Sequence, residues 1–246
     1  MPHYNTYGKM AADTAIESIT QNGRYHAQKD AEQYVSIDVI QKLVPDAHDS
    51  FLDIGCGLGL NLIPISARVS RAAGCDHPNV INRLKQQSPD LNADLIGGDF
   101  FEIEFTQPYS KILAYSVLPS LPDLNTVKAF IDKTLALLEP AGRALLGDLA
   151  NIDKKKRFLK SERGVAFQKE WEVLSSDYRK QDDISAFLVE ADKRAVIIDD
   201  NTILDLIMHI RKQGFHAYMV DQPQKLPFGN TREDILILGP EYKDGK

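Results

Sequence analysis

The stretch Asp53-Ile54-Gly55-Cys56-Gly57-Leu58-Gly59-Leu60-Asn61 constrains this chain more than any other. It follows a short hydrophobic run that begins at Phe51, so a strand must turn sharply there into a helix. Glycines at alternate positions strip the Cβ from one side of that turn. The backbone can then lie against a ligand and adopt conformations that other residues avoid. A nucleotide-like ligand is implied. The dinucleotide-binding pattern wants a third small residue at position 60, which is Leu60; the third glycine comes one residue early, at Gly59. The phosphate-cradling P-loop is excluded, because no Gly-Lys-Ser/Thr follows.

A bound adenosine needs more than a glycine loop. Its ribose wants a carboxylate at the end of the next strand, about 20 residues on. Asp76 closes the segment Val69 to Cys75, and His77-Pro78 stop the strand. A third strand around Ala93 to Ile96 runs into Gly97-Gly98-Asp99-Phe100, and a fourth, Lys111 to Leu118, carries a polar break at Tyr115-Ser116. These four elements, in this order and spacing, resemble the class I S-adenosylmethionine-dependent methyltransferases, whose first motif is an acidic residue, x, then Gly-x-Gly-x-Gly. The resemblance implies S-adenosyl-L-methionine as cofactor. It places Asp53, Gly55, Cys56, Gly57, Gly59 and Asn61 at the loop, Asp76 and His77 at the ribose, and Gly98, Asp99 and Phe100 at the adenine. The Asp99 carboxylate would accept from the adenine amino group while an apolar neighbour covers the ring, and Tyr115 and Ser116 would touch the cofactor from the fourth strand. Each residue has a plainer alternative. Asp76 alone could cap a helix, Gly-Gly-Asp is ordinary turn chemistry, and Tyr115 and Ser116 could be core and cap residues.

Composition agrees. At 246 residues the chain can bury a single α/β core without staples. Its two cysteines, Cys56 and Cys75, read as free buried thiols, too few for a disulfide framework or a zinc site. A net charge of −6 argues against a broad nucleic-acid surface. No apolar run approaches the ~20 residues a membrane span requires, and the amino terminus lacks a signal-peptide pattern, so a cytoplasmic protein without membrane or nucleic-acid partners is expected.

Strands are expected to begin at residues 51, 69, 93, 111 and 143, with helices between them. After Arg143 to Asp148 comes a charged stretch, then a helix over Thr202 to Lys212 and two closing strands, Phe215 to Val220 and Asp234 to Leu238. The fold expected is an α/β, Rossmann-like seven-stranded sheet, mostly parallel with one antiparallel edge strand and helices on both faces. Residues 1–48 read as a helical arm or lid, and 49–246 as the cofactor-binding domain with a helical insertion at about 150–200. In the arm, Val35, Val39, Ile40 and Leu43 share one helical face, ended by Pro45, as for a helix packed on the sheet edge. Upstream lie Tyr4, Tyr7, Tyr25, His26 and Tyr34, anchors of the arm or, for some, acceptor contacts.

Ligands in open α/β sheets bind beyond the carboxyl ends of the strands, so Asp148 and Asn151 should face the cleft of the glycine loop. The cluster Lys154-Lys155-Lys156-Arg157 is either a solvated helix face or, through Lys154 and Arg157, a grip on an anionic acceptor. Tyr25 is a further acceptor candidate. Methyl transfer needs in-line alignment, exclusion of water and, for an alcohol, a base: Asp148, or His26 if the arm is a lid. Tyr115-Ser116-Val117-Leu118-Pro119 replaces the Asn/Asp-Pro-Pro-Tyr of many amide- and nucleobase-directed methylases. Gly147 to Asn151 with its basic continuation loosely resembles bacterial methyltransferases of surface-glycan and sugar biosynthesis, implying a small, anionic acceptor such as a sugar derivative. A protein methyltransferase, an aminopropyltransferase and a non-catalytic S-adenosylmethionine-binding module are the alternatives. The residues leave the acceptor atom and the oligomeric state open.

Overall fold

The computed structural model describes residues 2–13, 16–21, 24, 28–178 and 196–243. The hydrophobic run at Phe51 is β1 (Ser50–Ile54), and it lies in the middle of the sheet. β2 (Arg71–Asp76) and β3 (Asp94–Gly97) pair on one side of it, and β4 (Tyr109–Tyr115) and β5 (Leu138–Ala150) on the other, all parallel. β6 (His216–Asp221) and β7 (Arg232–Leu238) complete a seven-stranded sheet of order β3-β2-β1-β4-β5-β7-β6. β7 runs against both of its neighbours. The one reversed strand therefore sits a position in from the edge, and β6 forms the edge itself.

Apolar residues alternate in register across the central strands, because successive side chains of a strand point to opposite faces. Phe51, Leu113 and Leu145 pack on one face; Leu52, Ile112, Ala144 and Leu146 pack on the other. The first face is covered by α3 (Lys29–Leu43), through Val35, Val39 and Leu43, all fully buried. This helix lies over the body of the sheet beside Phe51 and Leu145 rather than at its edge, a correction to the expected position. Val44, with φ 49°, ends it just before Pro45. The same face carries the short α4 (Leu62–Ser66) and α5 (Pro78–Gln87). On the other face lie α6 (Leu124–Ala136), capped by Asp123, and α9 (Asp200–Lys212), capped by Asp199. After β5 come α7 (Ile152–Leu159) and α8 (Glu162–Tyr178), the helical insertion expected there.

Two boundaries differ from the sequence reading. β4 stops at Tyr115, because Ser116 takes a left-handed conformation and Leu118–Ser120 form a 3-10 turn. β5 begins at Leu138, ahead of Pro140 and Gly142, with an irregular register against β4 that an alternation argument does not see.

The amino-terminal part of the arm is fastened to α5, and Ser36 Oγ bonds the Leu60 carbonyl of the glycine loop at 2.7 Å. In α1 (Pro2–Ala12), Gly8 presents its carbonyl to Asn79 Nδ2 at 3.1 Å and leaves no room for a Cβ beside the His77 ring. Arg83, buried on α5, donates to the carbonyls of Asp13 and Ile16. A four-residue α2 (Ser18–Gln21) follows. Among the described residues no helix is long and apolar enough to cross a membrane, and no group of three or more His, Cys, Asp or Glu is placed to hold a metal.

Leu113 is fully buried in the central strand, so Leu113→Ala should lower unfolding stability by ~2–5 kcal/mol, read as a reduced urea midpoint with an unchanged m-value.

Candidate active site

The glycine loop leaves β1 under tight constraint. The N–H groups of Gly55 and Cys56 both donate to the Cys75 carbonyl, at 2.8 and 3.2 Å, which ties the loop to the end of β2. Gly55 and Gly57 have φ of 73° and 53°, and a Cβ on Gly55 would lie 2.5 Å from Val117 Cγ2. The N–H of Gly57 donates to Asp76 Oδ2 at 2.9 Å, and that of His77 to Asp76 Oδ1 at 2.6 Å. Two parts of the expected ligand frame, loop and ribose carboxylate, are thus joined before any ligand arrives.

A cleft opens beyond the carboxyl ends of β1, β2 and β4, the position that open α/β sheets give their ligands. Of the residues singled out in the sequence, Asp53, Gly55, Cys56, Gly57, Asn61, Asp76, Gly98, Phe100, Tyr115 and Ser116 line it. Phe100 and Phe130, ring centroids 4.7 Å apart, form an apolar wall with Val80 and Leu121. Lys133 holds that wall in place. Its ammonium bonds the carbonyls of Phe101 and Ile103 at 3.0 and 2.8 Å and lies 5.1 Å from the Phe100 centroid.

Three residues of the expected cofactor set do not line the cleft. Gly59, with φ 87°, lies against Ile63 and Leu84, so its missing side chain serves the turn into α4. Asp99 caps its own turn, Oδ1 accepting from Phe101 N at 3.0 Å. His77 caps α5 through Nδ1 and packs its ring on Tyr4, centroids 4.7 Å apart.

The arm supplies residues of two kinds, tyrosines that the sequence reading offered as anchors or acceptor contacts and two residues that it did not assign. Tyr4, Tyr7, Gln21 and Arg24 line the cleft and close it opposite the glycine loop. Arg24 is buried, pairs with Glu32 at 3.2 Å and lies 5.8 Å from the Tyr115 centroid. Tyr25 and His26 lie outside the described residues. The density of tyrosines in the arm was the available signal; the contribution of Gln21 and Arg24 had none.

Ser116 and Asp148 stand at the ends of β4 and β5, and both have φ of 62°. Non-glycine residues in this region cost about 1–3 kcal/mol each and persist only where the surroundings enforce them. The Ser116 hydroxyl lines the cleft and donates to Asp148 Oδ2. Asp148 is buried behind it and does not itself line the cleft, while Arg232 Nε lies 3.8 Å from Asp148 Oδ1. The expectation of direct contact is thereby corrected: Asp148 reaches the cleft through Ser116.

Asn151, Lys154 and Arg157 also stay away from the cleft. Asn151 caps α7, accepting from the N–H groups of Asp153 and Lys154, while its amide donates to Asp200 at 2.7 Å and Glu233 at 2.6 Å. Lys154 bonds Asp221 and the Arg232 carbonyl, and Arg157 forks onto Asp200. Carboxylates from β6, β7 and α9 occupy the charges expected to grip an anion.

Two acceptors stand out in the cleft. Asn61 Oδ1 and Gln21 Oε1 are buried and have no hydrogen-bond partner, although an unsatisfied buried acceptor is costly. Burial, then the charge of Asp76, pushes the Asp53 carboxyl from 3.8 up to about 8. Burial also raises Asp76 against the two N–H bonds it accepts, and raises Tyr4 to about 12. Such a site wants hydroxyl and cationic donors.

Comparison with known proteins gives three findings. The family model described as a methyltransferase domain matches residues 26–181. A malonyl-[acyl-carrier protein] O-methyltransferase of Haemophilus ducreyi is 20% identical over 216 residues, covering 85% of this chain and 81% of its own. Among solved structures, the N-methyltransferase NodS from Bradyrhizobium japonicum with S-adenosyl-L-homocysteine superposes with a TM-score of 0.60 at 15% identity, over 96% of this chain and 100% of that one. Magnesium protoporphyrin IX methyltransferase from Synechocystis does so with 0.58 at 14%, over 96% and 94%.

Because Asp53 binds a proton in the folded, ligand-free protein that the unfolded chain releases at its ordinary carboxylate pKa of 3.8, stability should fall as pH rises from there through about 8. Denaturant titrations across this range should show the decline, and Asp53→Asn should flatten it and raise stability at its alkaline end.

Proposed function

Because this chain belongs to the methyltransferase-domain family and has the fold of class I S-adenosylmethionine-dependent methyltransferases, we propose that it moves a methyl group from S-adenosylmethionine to an oxygen or nitrogen of a small acceptor, such as a sugar derivative or another anionic metabolite. The observation that carries this reading is the cleft beyond the glycine loop, where Asn61 Oδ1 and Gln21 Oε1 are buried without a hydrogen-bond partner and the Asp53 carboxyl is desolvated beside Asp76. The residues fit the cofactor. Asp76 would hold its ribose hydroxyls, Gly98, Phe100 and Phe130 would enclose its adenine, and Asn61, Gln21 and Asp53 would meet its amino-acid end, with the Arg24 guanidinium opposite.

The cofactor supplies a methyl group made electrophilic by its sulfonium. The chain must exclude water, hold the acceptor in line and, for an alcohol, take a proton. Tyr4, Tyr7, Gln21 and Arg24 close the cleft against solvent. An acceptor hydroxyl beside Ser116 would pass its proton to Ser116 Oγ as the serine proton moves to Asp148 Oδ2, along the hydrogen bond already formed. A free amine, once neutral, needs less help. Lys154 and Arg157 are paired away from the cleft; Arg24, itself paired with Glu32, lines the cleft and brings a guanidinium to it. The Haemophilus relative is named for O-methylation of a malonyl group on a carrier protein, and the Synechocystis one for a porphyrin, so a small organic acceptor fits the relatives as well as the cleft.

Binding should be read first. S-adenosylhomocysteine should raise the melting temperature, by mass action equivalent to ~2.7 kcal/mol at a hundredfold excess over its Kd. Gly55→Val should abolish that shift through the collision with Val117 and the positive φ, and Asp76→Ala should weaken binding by ~1.5–3 kcal/mol. Unchanged affinity in both variants contradicts the assignment.

Transfer should be read next, with methyl-labelled S-adenosylmethionine and a fractionated small-molecule extract. Asp148→Asn and Ser116→Ala should each slow labelling by about 10²–10⁴-fold while S-adenosylhomocysteine affinity is retained. A chain that binds the cofactor but labels neither small molecules nor protein would be a binding module instead.

A further inference from the structure

We propose that Asp234, which lies outside the cleft, is the positioning residue of the Ser116 and Asp148 pair. It fixes the backbone of Asp148 in the left-handed conformation that turns its carboxylate onto the serine hydroxyl. This inference rests on the reading of that pair as the acceptor-side machinery.

β5 and β7 pair regularly up to Leu146, lose register, and resume at Leu149. Gly147 and Asp148 are the residues in the gap. A strand residue that leaves its ladder also leaves its N–H without a partner, and a buried orphan N–H is costly. Here Asp234 Oδ1 takes the Asp148 N–H, at 2.8 Å, from across the gap. The same oxygen accepts from Gln222 Nε2 at 2.8 Å, and that amide also lies 3.2 Å from the Tyr115 hydroxyl. The other oxygen accepts from Lys42 Nζ at 2.7 Å, and Lys42 in turn holds Asp38 at 2.6 Å. One fully buried carboxylate thus links α3, the bulge of β5, the loop after β6 and the aromatic residue that lines the cleft.

Nothing in the ladder requires an acid at this position. Ile235, Leu236 and Ile237 follow it in the same strand as ordinary core residues, and an apolar side chain at 234 would avoid the desolvation that pushes the Asp234 carboxyl up to about 6. What an apolar residue cannot do is accept the Asp148 N–H. Without that acceptor the bulge closes toward regular pairing. Because side chains alternate with period two, a closed register turns residue 148 to the other face, away from Ser116.

Three variants separate positioning from plain stabilisation. Asp234→Asn keeps an oxygen for the Asp148 N–H, Lys42→Met keeps the acceptor and removes the ion pair, and Asp234→Leu keeps the volume and removes the acceptor. All three should lower the melting temperature and bind S-adenosylhomocysteine within about twofold of the parent, because none touches the cleft. Only Asp234→Leu should slow labelling of the small-molecule extract, by about 10²-fold, and its crystal structure should show Asp148 at negative φ without the Ser116 bond. Rate losses in all three that track the melting temperature, or an Asp234→Leu structure with the bulge and the Ser116 bond intact, overturn the proposal. Should Asp234→Leu not fold, the other two decide: near-parental transfer at a lowered melting temperature supports positioning, and transfer falling with stability overturns it. Failure of the parent to label any small molecule contradicts the proposed function, whereas the variant structures judge this inference by themselves.

Discussion

Desolvated carboxylates at one end of the sheet govern this molecule. Asp53, Asp148 and Asp234 are buried there, with Asp76 at the rim of the cleft beside them. An acid removed from water must be neutralised, paired or supplied with hydrogen-bond donors. Each of these has a different answer. Asp76 takes backbone N–H groups from the glycine loop and from His77, Asp234 takes Lys42, Gln222 and a backbone N–H, and Asp148 takes a hydroxyl and the neighbourhood of Arg232. For Asp53, burial and then the like charge of Asp76 raise the carboxyl to about 8, which favours its neutral form.

That asymmetry orders the roles. The Asp76 carboxylate is preorganised, because the N–H groups of Gly57 and His77 hold both of its oxygens. Elsewhere in the cleft, Asn61 Oδ1 and Gln21 Oε1 are buried without partners, and burial raises the Asp53 carboxyl to about 8. The arm completes the enclosure, and its anchor lies on α5: Asn79 and Arg83 bond its carbonyls, and Gly8 allows the His77 ring to approach. His77 joins ribose acid, helix cap and arm in one residue without facing the cleft itself.

Local features were legible in the sequence. The glycine loop, Asp76 and the polar break at Tyr115-Ser116 are defined by neighbours within a few residues, and spacing alone places them at strand ends. Features fixed by distant partners were not. Lys154 and Arg157 look like a free basic cluster until Asp221 and Asp200 fold against them. Gln21 and Arg24 enter the site because the arm crosses it, which no periodicity encodes. Asp234 had one signal, an acid opening an apolar strand, but its bonds run to Lys42 and Asp148, far away in the chain.

The reversal of β7 has a consequence for how such a site can change. In the parallel strands it is the last residues that reach the cleft end of the sheet, whereas an opposed strand delivers its first, which is why Glu233 and Asp234 stand beside Asp148 and Asn151. The connection from β6 to β7 is therefore an open hairpin end on the working side, tied down by Leu226 in the core and by Gln28 at the Pro227 carbonyl, 2.8 Å away. Residues can be added to or removed from the connection outside those two adjacent ties without shifting a rung of the ladder. The chain thus carries an adjustable border on the side of Asp148 and Asn151.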